Sequence, residues 1–323
     1  MAFQGRRSKD DSMCKRTHHS SVAGCGCGKG RRSAGRSGMT LIELLFVLLV
    51  IFILISLLLP ALQYARETAR YLRCEKNMMQ LVLAVKLYQE THQYYPPGVI
   101  DKEPGPILSQ PQGMHHNWIS QVLPQMQEEL LYRQIDFRLS VYHPLQAPVR
   151  TTILPYATCP SFSAPPTPGR DPWSNYAAVH HDVEAPISGD NNGMFFLNSA
   201  LSADDVDDGL SYTLFLGEII PYAGSLGWMS GTRATLRNLG QPLGMTALLD
   251  LRVLNGQSQK VPKIPPTAVG GFGGVHKGTT LFAYGDGHVQ KIANTADPRV
   301  LQRLANRKDG EQQDVAQFRS SGP

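Results

Sequence analysis

The chain has 323 residues, with 31 Lys or Arg, 26 Asp or Glu and a formal net charge of +5, a balance that spread evenly would suggest a nucleic-acid partner. The excess is local: Met1 to Gly38 holds nine Lys or Arg and two Asp, a surplus of about +7 that leaves the rest near about −2 and removes the argument for nucleic acid. Of the five cysteines, Cys14, Cys25 and Cys27 fall in that basic segment. Cys74 and Cys159 are the two outside it, a pair that permits one disulfide in an oxidising compartment or stands as two free thiols.

In chain order, residues 1–38 read as a basic leader, which favours the cytoplasmic side of a membrane. Within it, Cys25-Gly26-Cys27 lacks the spacing and the second pair of a metal site. The apolar run Leu41 to Leu59 follows, long enough to cross a bilayer core at about 1.5 Å per helical residue, and Glu43 sits inside it. An ionised side chain in hydrocarbon costs several kcal/mol unless something pairs with it, so Glu43 reads as functional. The alternative is an acid at a helix end reaching the interface. In a secretory signal peptide the apolar region precedes the cleavage site and is lost with it; here it lies downstream of Gly38-Met39.

The segment Ser37-Gly38-Met39-Thr40-Leu41-Ile42-Glu43-Leu44-Leu45 resembles the class III signal of type IV pilins and pseudopilins. Gly38 stands at the cleavage position, Met39 at the methylated new N-terminus, where Phe is commoner, and Glu43 at the assembly carboxylate. The resemblance implies a prepilin peptidase/N-methyltransferase, other pilin-like subunits and the membrane as partners. It also implies a single-pass inner-membrane protein, N-terminus cytoplasmic and head on the periplasmic or outer side.

Beyond Pro60, the residues Leu62, Ala65, Ala69, Leu72, Met79 and Val82 recur at helical steps, predicting one amphipathic stripe. The helix is expected from about Met39 to Thr91, kinked at Pro60 and stopped before Tyr94-Tyr95-Pro96-Pro97-Gly98. The predicted organisation is a leader over 1–38, a transmembrane half over 39–60, an amphipathic continuation over 61–97, a globular head over 98–306 and a mobile tail over 307–323. In the head, strands are predicted at Thr152–Leu154, Gly193–Leu197, Tyr212–Glu218, Thr280–Tyr284 and His288–Ile292, and a helix over Trp118–Tyr132, with long connections at Ser163–Pro172 and Val261–Gly274. The fold class expected is α+β, an antiparallel-sheet head packed on the long N-terminal helix.

Several blocks sharpen the family resemblance. They are Arg73 to Leu81, Tyr95-Pro96-Pro97-Gly98, Cys159-Pro160-Ser161, Ser174-Asn175-Tyr176-Ala177, Asp208 to Glu218, and His276 followed after nine residues by Asp286-Gly287. Together, in this order, they resemble the planctomycete-type family of major-pilin-like proteins called domain of unknown function 1559, with its H-x9-D-G signature. Lys76 and Met79 replace that family's usual Asn and Lys, and His288 stands where Ser is commoner. Both cysteine blocks carry Cys in the family, so the resemblance implies a Cys74–Cys159 bridge. It implies no enzymatic activity.

Candidate chemistry is sparse. Asp286-Gly287 suits a type I′ hairpin turn, and a structural His to Asp hydrogen bond closing that hairpin is favoured over a metal held by His276, Asp286 and His288. Asp204-Asp205-Val206-Asp207-Asp208-Gly209 offers oxygen ligands for a structural calcium, without the spacing of an EF-hand; a solvated turn is the simpler reading, and no cofactor is expected. His115-His116 and His180-His181-Asp182 read as surface or loop residues. The nucleophile elbow, Walker A loop, Rossmann fingerprint and zinc helix motifs are all missing from the sequence. The sequence therefore points to a non-enzymatic pilin-like or pseudopilin-like subunit for an envelope filament or secretion apparatus. The alternatives are a tethered surface binding module that does not polymerise and a tethered hydrolase.

Overall fold

The computed structural model describes residues 38–162, 171–221, 225–245 and 264–311. The leader before Gly38 with its three cysteines, most of the connection Ser163–Pro172, the first residues of Val261–Gly274 and the tail after Glu311 lie outside the described residues. The chain divides into two compact units, one ending at Leu57 and one beginning at Leu58.

In the first unit, every described residue from Gly38 to Leu57 is exposed. Helix α1 (Leu41–His92) begins here and runs on through Pro60 without a break; it is long and apolar enough to cross a membrane. Its start is closed by a local capping arrangement. Thr40 Oγ1 accepts from Glu43 N at 3.4 Å, and Glu43 Oε2 accepts from Thr40 N at 3.5 Å. That reciprocal arrangement is the T-x-x-E capping box, which satisfies two otherwise orphaned donors of a first turn.

In the second unit, α1 buries Cys74, Met78, Leu81, Val82, Ala84, Val85 and Tyr88. This face is not the expected stripe: Leu62, Leu72 and Met79 are exposed, and of the stripe only Val82 is buried. Residues 61–70 are exposed all round, so apolar side chains there carry no information about which face meets the core. The helix stops where Gln93 adopts φ +69°, the left-handed conformation that closes many helices. Tyr95 N then donates to Leu201 O at 2.7 Å, turning the chain onto the head.

The head carries two sheets. Strands β1 (Val99–Ile100) and β2 (His116–Asn117) form a small antiparallel pair. Short helices α2 (Trp118–Gln121), α3 (Glu129–Tyr132) and α4 (Ala147–Arg150) follow. The single helix expected over Trp118–Tyr132 is thus interrupted. Pro124, lacking a backbone donor, opens a 3-10 turn, and Gln127 at φ +65° ends it.

The main sheet comprises β3 (Tyr176–His181), β4 (Leu214–Glu218), β5 (Leu236–Asn238), β6 (Thr279–Tyr284) and β7 (Val289–Ala293), in the order β5-β3-β4-β6-β7. It is mixed rather than purely antiparallel, because β3 and β5 run parallel. Helix α5 (Pro298–Ala305) follows β7. The class is α+β, with a long apolar N-terminal helix and a mixed-sheet head.

Side chains alternate across the sheet, as a period of two requires. Tyr176, Ala178, Leu281 and Ala283 join the core cluster that contains the buried face of α1. Ala177, Val179, Phe282 and Tyr284 join a second cluster with Leu301 and Leu304 of α5. A register shift between Leu214 and Leu216 breaks the alternation in β4, so that Phe215 and Leu216 both belong to the α1 side.

Two expected strands are not strands. Thr152–Leu154 is irregular chain between α4 and the 3-10 turn at Pro155–Ala157. Gly193–Leu197 lies alongside β3, with Gly193 N donating to His180 O and Phe195 N to Val179 O, without forming a regular ladder. The residues expected to start a mobile tail are tied down: Arg307 Nη1 donates to Asn191 O at 2.7 Å and Gly193 O at 2.8 Å.

Candidate functional site

Cys74 and Cys159 are joined in a disulfide, with their Cα atoms 5.2 Å apart. Each cysteine is held by its own neighbourhood. On α1, the Cys74 carbonyl accepts from Tyr176 Oη at 3.1 Å. Cys159 follows a 3-10 turn at Pro155–Ala157, and its N–H donates to Asn175 Oδ1 at 3.0 Å. Asn77, one turn after Cys74, donates to Thr158 O at 3.0 Å. Blocks that lie far apart in the sequence therefore meet at one place.

Two acids and a histidine complete the cluster. Glu218, the last residue of β4, is buried. Its Oε2 accepts from Leu281 N at 3.1 Å, and its Oε1 has no hydrogen-bond partner. His276, also buried, places Nε2 3.4 Å from Glu218 Oε1 and Nδ1 3.6 Å from Glu67 Oε1. The same Nε2 is 3.7 Å from Cys159 Sγ, and the Tyr71 ring meets the imidazole edge-on at 5.1 Å. A small pocket here is lined by Cys159, Asn175, Glu218, Ile219, Gly274 and Val275. Gly274 backs onto this carboxylate, and a Cβ there would push Glu218 Oε2 from its place.

The electrostatics follow from this geometry. Burial opposes protonation of His276, but the carboxylates of Glu218 and Glu67 outweigh it and raise the imidazole above its ordinary range. Burial likewise works against the Glu67 carboxylate. Hydrogen bonds from Arg70 and Ser161 prevail and hold it low.

The expected His to Asp hydrogen bond at the hairpin is made by His288, with Asp286 Oδ1 lying 2.6 Å from its ring Nδ1 and 3.0 Å from its backbone N. His276 does not converge with them and joins Glu218 and Glu67 instead. The Asp286 carbonyl accepts from Lys86 Nζ of α1 at 2.6 Å.

The hairpin turn is also of another type. Gly287 N donates to Tyr284 O at 3.0 Å, and Gly287, at φ +101°, is the one residue of the Asp286-Gly287 pair with positive φ. A type I′ turn needs both, so this is a type I turn followed by a left-handed glycine. Gly38 and Met39 are exposed ahead of α1, and Glu43 is exposed in its first turn.

Three histidines read as surface residues are buried: His115, His116 and His180. His116 lies on β2 and His180 on β3, and both ladders carry them inward. In the acidic stretch, Asp205 caps Ser202 at 2.7 Å, and Asp208 Oδ1 accepts from Gly310 N at 2.6 Å. Burial pushes the Asp208 carboxyl up to about 6. Glu67 and Glu218 were not singled out from sequence. A usable signal existed for Glu218, an acid closing the apolar run Leu214 to Gly217.

No curated protein and no solved structure matches the chain. Residues 63–299 match the family described as "Protein of unknown function (DUF1559)". The matched region begins downstream of Gly38, Met39 and Glu43 and includes both bridged cysteines, Glu218 and His276. Covering well over half of the sequence, the match means that the chain belongs to the DUF1559 family of proteins of unknown function.

Proposed function

We propose that the chain is a prepilin-processed, membrane-anchored, pilin-like or pseudopilin-like structural subunit for assembly of an envelope filament or secretion apparatus. One observation carries the reading: a single 52-residue helix begins three residues after Gly38, holds Glu43 in its first turn and exposes only apolar residues from Leu44 to Ile55, while its later turns enter the core of the head. Cleavage after Gly38 frees an amine on Met39 with an ordinary pKa near about 8, cationic in large part at neutral pH. In hydrocarbon, that amine and the Glu43 carboxylate are each costly alone. A neighbouring subunit's amine set against Glu43 neutralises both and fixes the register between helices.

Mass spectrometry of membrane-bound protein from native cells tests processing; the mature chain should begin at Met39 and be N-methylated. Protein that retains residues 1–38 overturns the reading. Assembly is tested by the pelletable or crosslinked fraction of Glu43→Val and Glu43→Gln. Glutamine keeps a capping-box side chain and removes only the charge. Both variants should insert and be cleaved, and both should lose most of the assembled fraction. Normal assembly of Glu43→Gln reduces Glu43 to a helix cap and shifts the reading to a tethered module that does not polymerise.

A further inference from the structure

We propose that Cys74, Cys159, Glu218 and His276 form a zinc site when the Cys74–Cys159 bond is reduced, so that one locus is closed either by a disulfide or by a metal. One donor atom from each of the four residues lies within 4.8 Å of all the others, and all four residues are buried. Two thiolates, an imidazole and a carboxylate make the four-coordinate sulfur, nitrogen and oxygen set that zinc takes, whereas calcium and magnesium require oxygen.

Two further observations point to a ligand. Glu218 Oε1 is buried without a hydrogen-bond partner and faces His276 Nε2 at 3.4 Å; a buried carboxylate needs a cation beside it, and a metal ion bound there takes the place of the ring's proton in that role. His276 also has the orientation of a metal ligand. Its Nε2 points at Cys159 and Glu218, and its Nδ1 faces the Glu67 carboxylate at 3.6 Å, the outer partner that fixes a ligating imidazole's tautomer. Glu67 is itself held by Arg70 at 2.6 Å and Ser161 at 3.1 Å.

The exchange balances. A dithiol reductant delivers two electrons and two protons to the disulfide, is itself oxidised to a cyclic disulfide, and leaves two thiols. Zinc then displaces one proton from each thiol and any proton carried on His276 Nε2, binds that nitrogen and a Glu218 oxygen, and releases the displaced protons to solvent. No other co-reactant is needed.

The test uses the full chain in detergent with Cys14, Cys25 and Cys27 replaced by serine, so that thiol binding reports only on Cys74 and Cys159. Protein is reduced with a dithiol, freed of it anaerobically, and dialysed against zinc chloride or, in parallel, cobalt chloride. The reduced chain should retain one zinc per chain and show a thiolate-to-cobalt charge-transfer absorption, and the oxidised chain should do neither. His276→Gln should weaken zinc at least about tenfold, because outer-shell changes alone commonly cost that much. Equal uptake by oxidised and reduced protein overturns the proposal, as does unchanged affinity in His276→Gln. Where that variant fails to fold, the wild-type cobalt spectrum decides: a reduced chain without the thiolate band, including one that unfolds and is not restored by metal, rules the site out.

Discussion

His115 and His180 are 3% and 0% exposed, and that burial decides their chemistry. For His115, burial outweighs the Asp101 carboxylate and brings the pKa from 6.5 to about 4. For His180, burial again dominates, against a hydrogen bond with Asn191, and the value falls to about 3. In each case the unfolded chain binds a proton at higher pH than the folded one, so the stability associated with the neutral ring is present above pH 6.5 and is lost as pH falls toward the folded value. The displacement for His115 corresponds to about 3 kcal/mol once complete. Asp208 works in the opposite sense. Its carboxyl, raised to about 6, makes folding more favourable as pH drops from 6 toward 4. Denaturant titrations between pH 7 and 4 should therefore show stability falling with acid, and His115→Gln should flatten that fall; an unchanged slope would show that His115 does not titrate as its burial requires. Glu43 belongs to the same scale, and comparing Val with Gln there separates charge from capping.

Residue-level legibility followed the reach of local sequence. Cys74, Cys159 and His276 could be picked out by type and spacing. Their meeting with Glu67 and Glu218 could not, because Glu67 is on α1 and Glu218 at the end of β4, and only the sheet's order brings β4 and the segment before β6 against the helix. The histidine pairs misled for a related reason: adjacent polar residues look solvated until a strand places them in a ladder.

At the scale of elements, strands with apolar or β-branched runs were recognisable, as in β4, β6 and β7. Strand β3 was not, since Tyr176-Ala177-Ala178-Val179-His180-His181 mixes small and polar residues at positions buried on both sides. Length and composition located α1 but not its buried face, which is set by tertiary partners around Cys74 and Tyr88. The entry into β1 is tightly constrained by Gly98: a Cβ there would sit 2.7 Å from Phe196 N and closer still to the Phe195 carbonyl. Backbone offers no rotamer to give way, so Gly98→Ala should destabilise the head by about 1–3 kcal/mol, read as a lower denaturant midpoint at unchanged slope. Gly278→Ala makes a useful contrast, with open space around the added methyl but φ +72°, so that its loss measures backbone strain alone.

For the whole molecule, the bridge between Cys74 and Cys159 closes a separation of 85 residues. Restricting so long a loop in the unfolded chain is worth about 4.6 kcal/mol in the loop-entropy account. The Cys74→Ala/Cys159→Ala double variant should be less stable by about 2–5 kcal/mol, measured by denaturation of the full chain in zinc-free buffer. A loss below about 1 kcal/mol would mean that the packing of Met78, Leu81 and Val85 holds helix and head together without the bridge.

The contact between Lys86 Nζ and the Asp286 carbonyl joins residues 200 positions apart, and it has a consequence in time. The inward face of α1 is made early in synthesis, yet the core cluster it belongs to includes Leu281 and Ala283, among the last of the head to be made. The helix must wait, unsheltered, for most of the chain, and loop closure on that scale makes assembly of the head slow and late. Cys74 waits as well, for a partner 85 residues behind it. Interruption of synthesis before β6 therefore leaves no smaller finished head behind, only a chain with its central apolar surface open to whatever else is near.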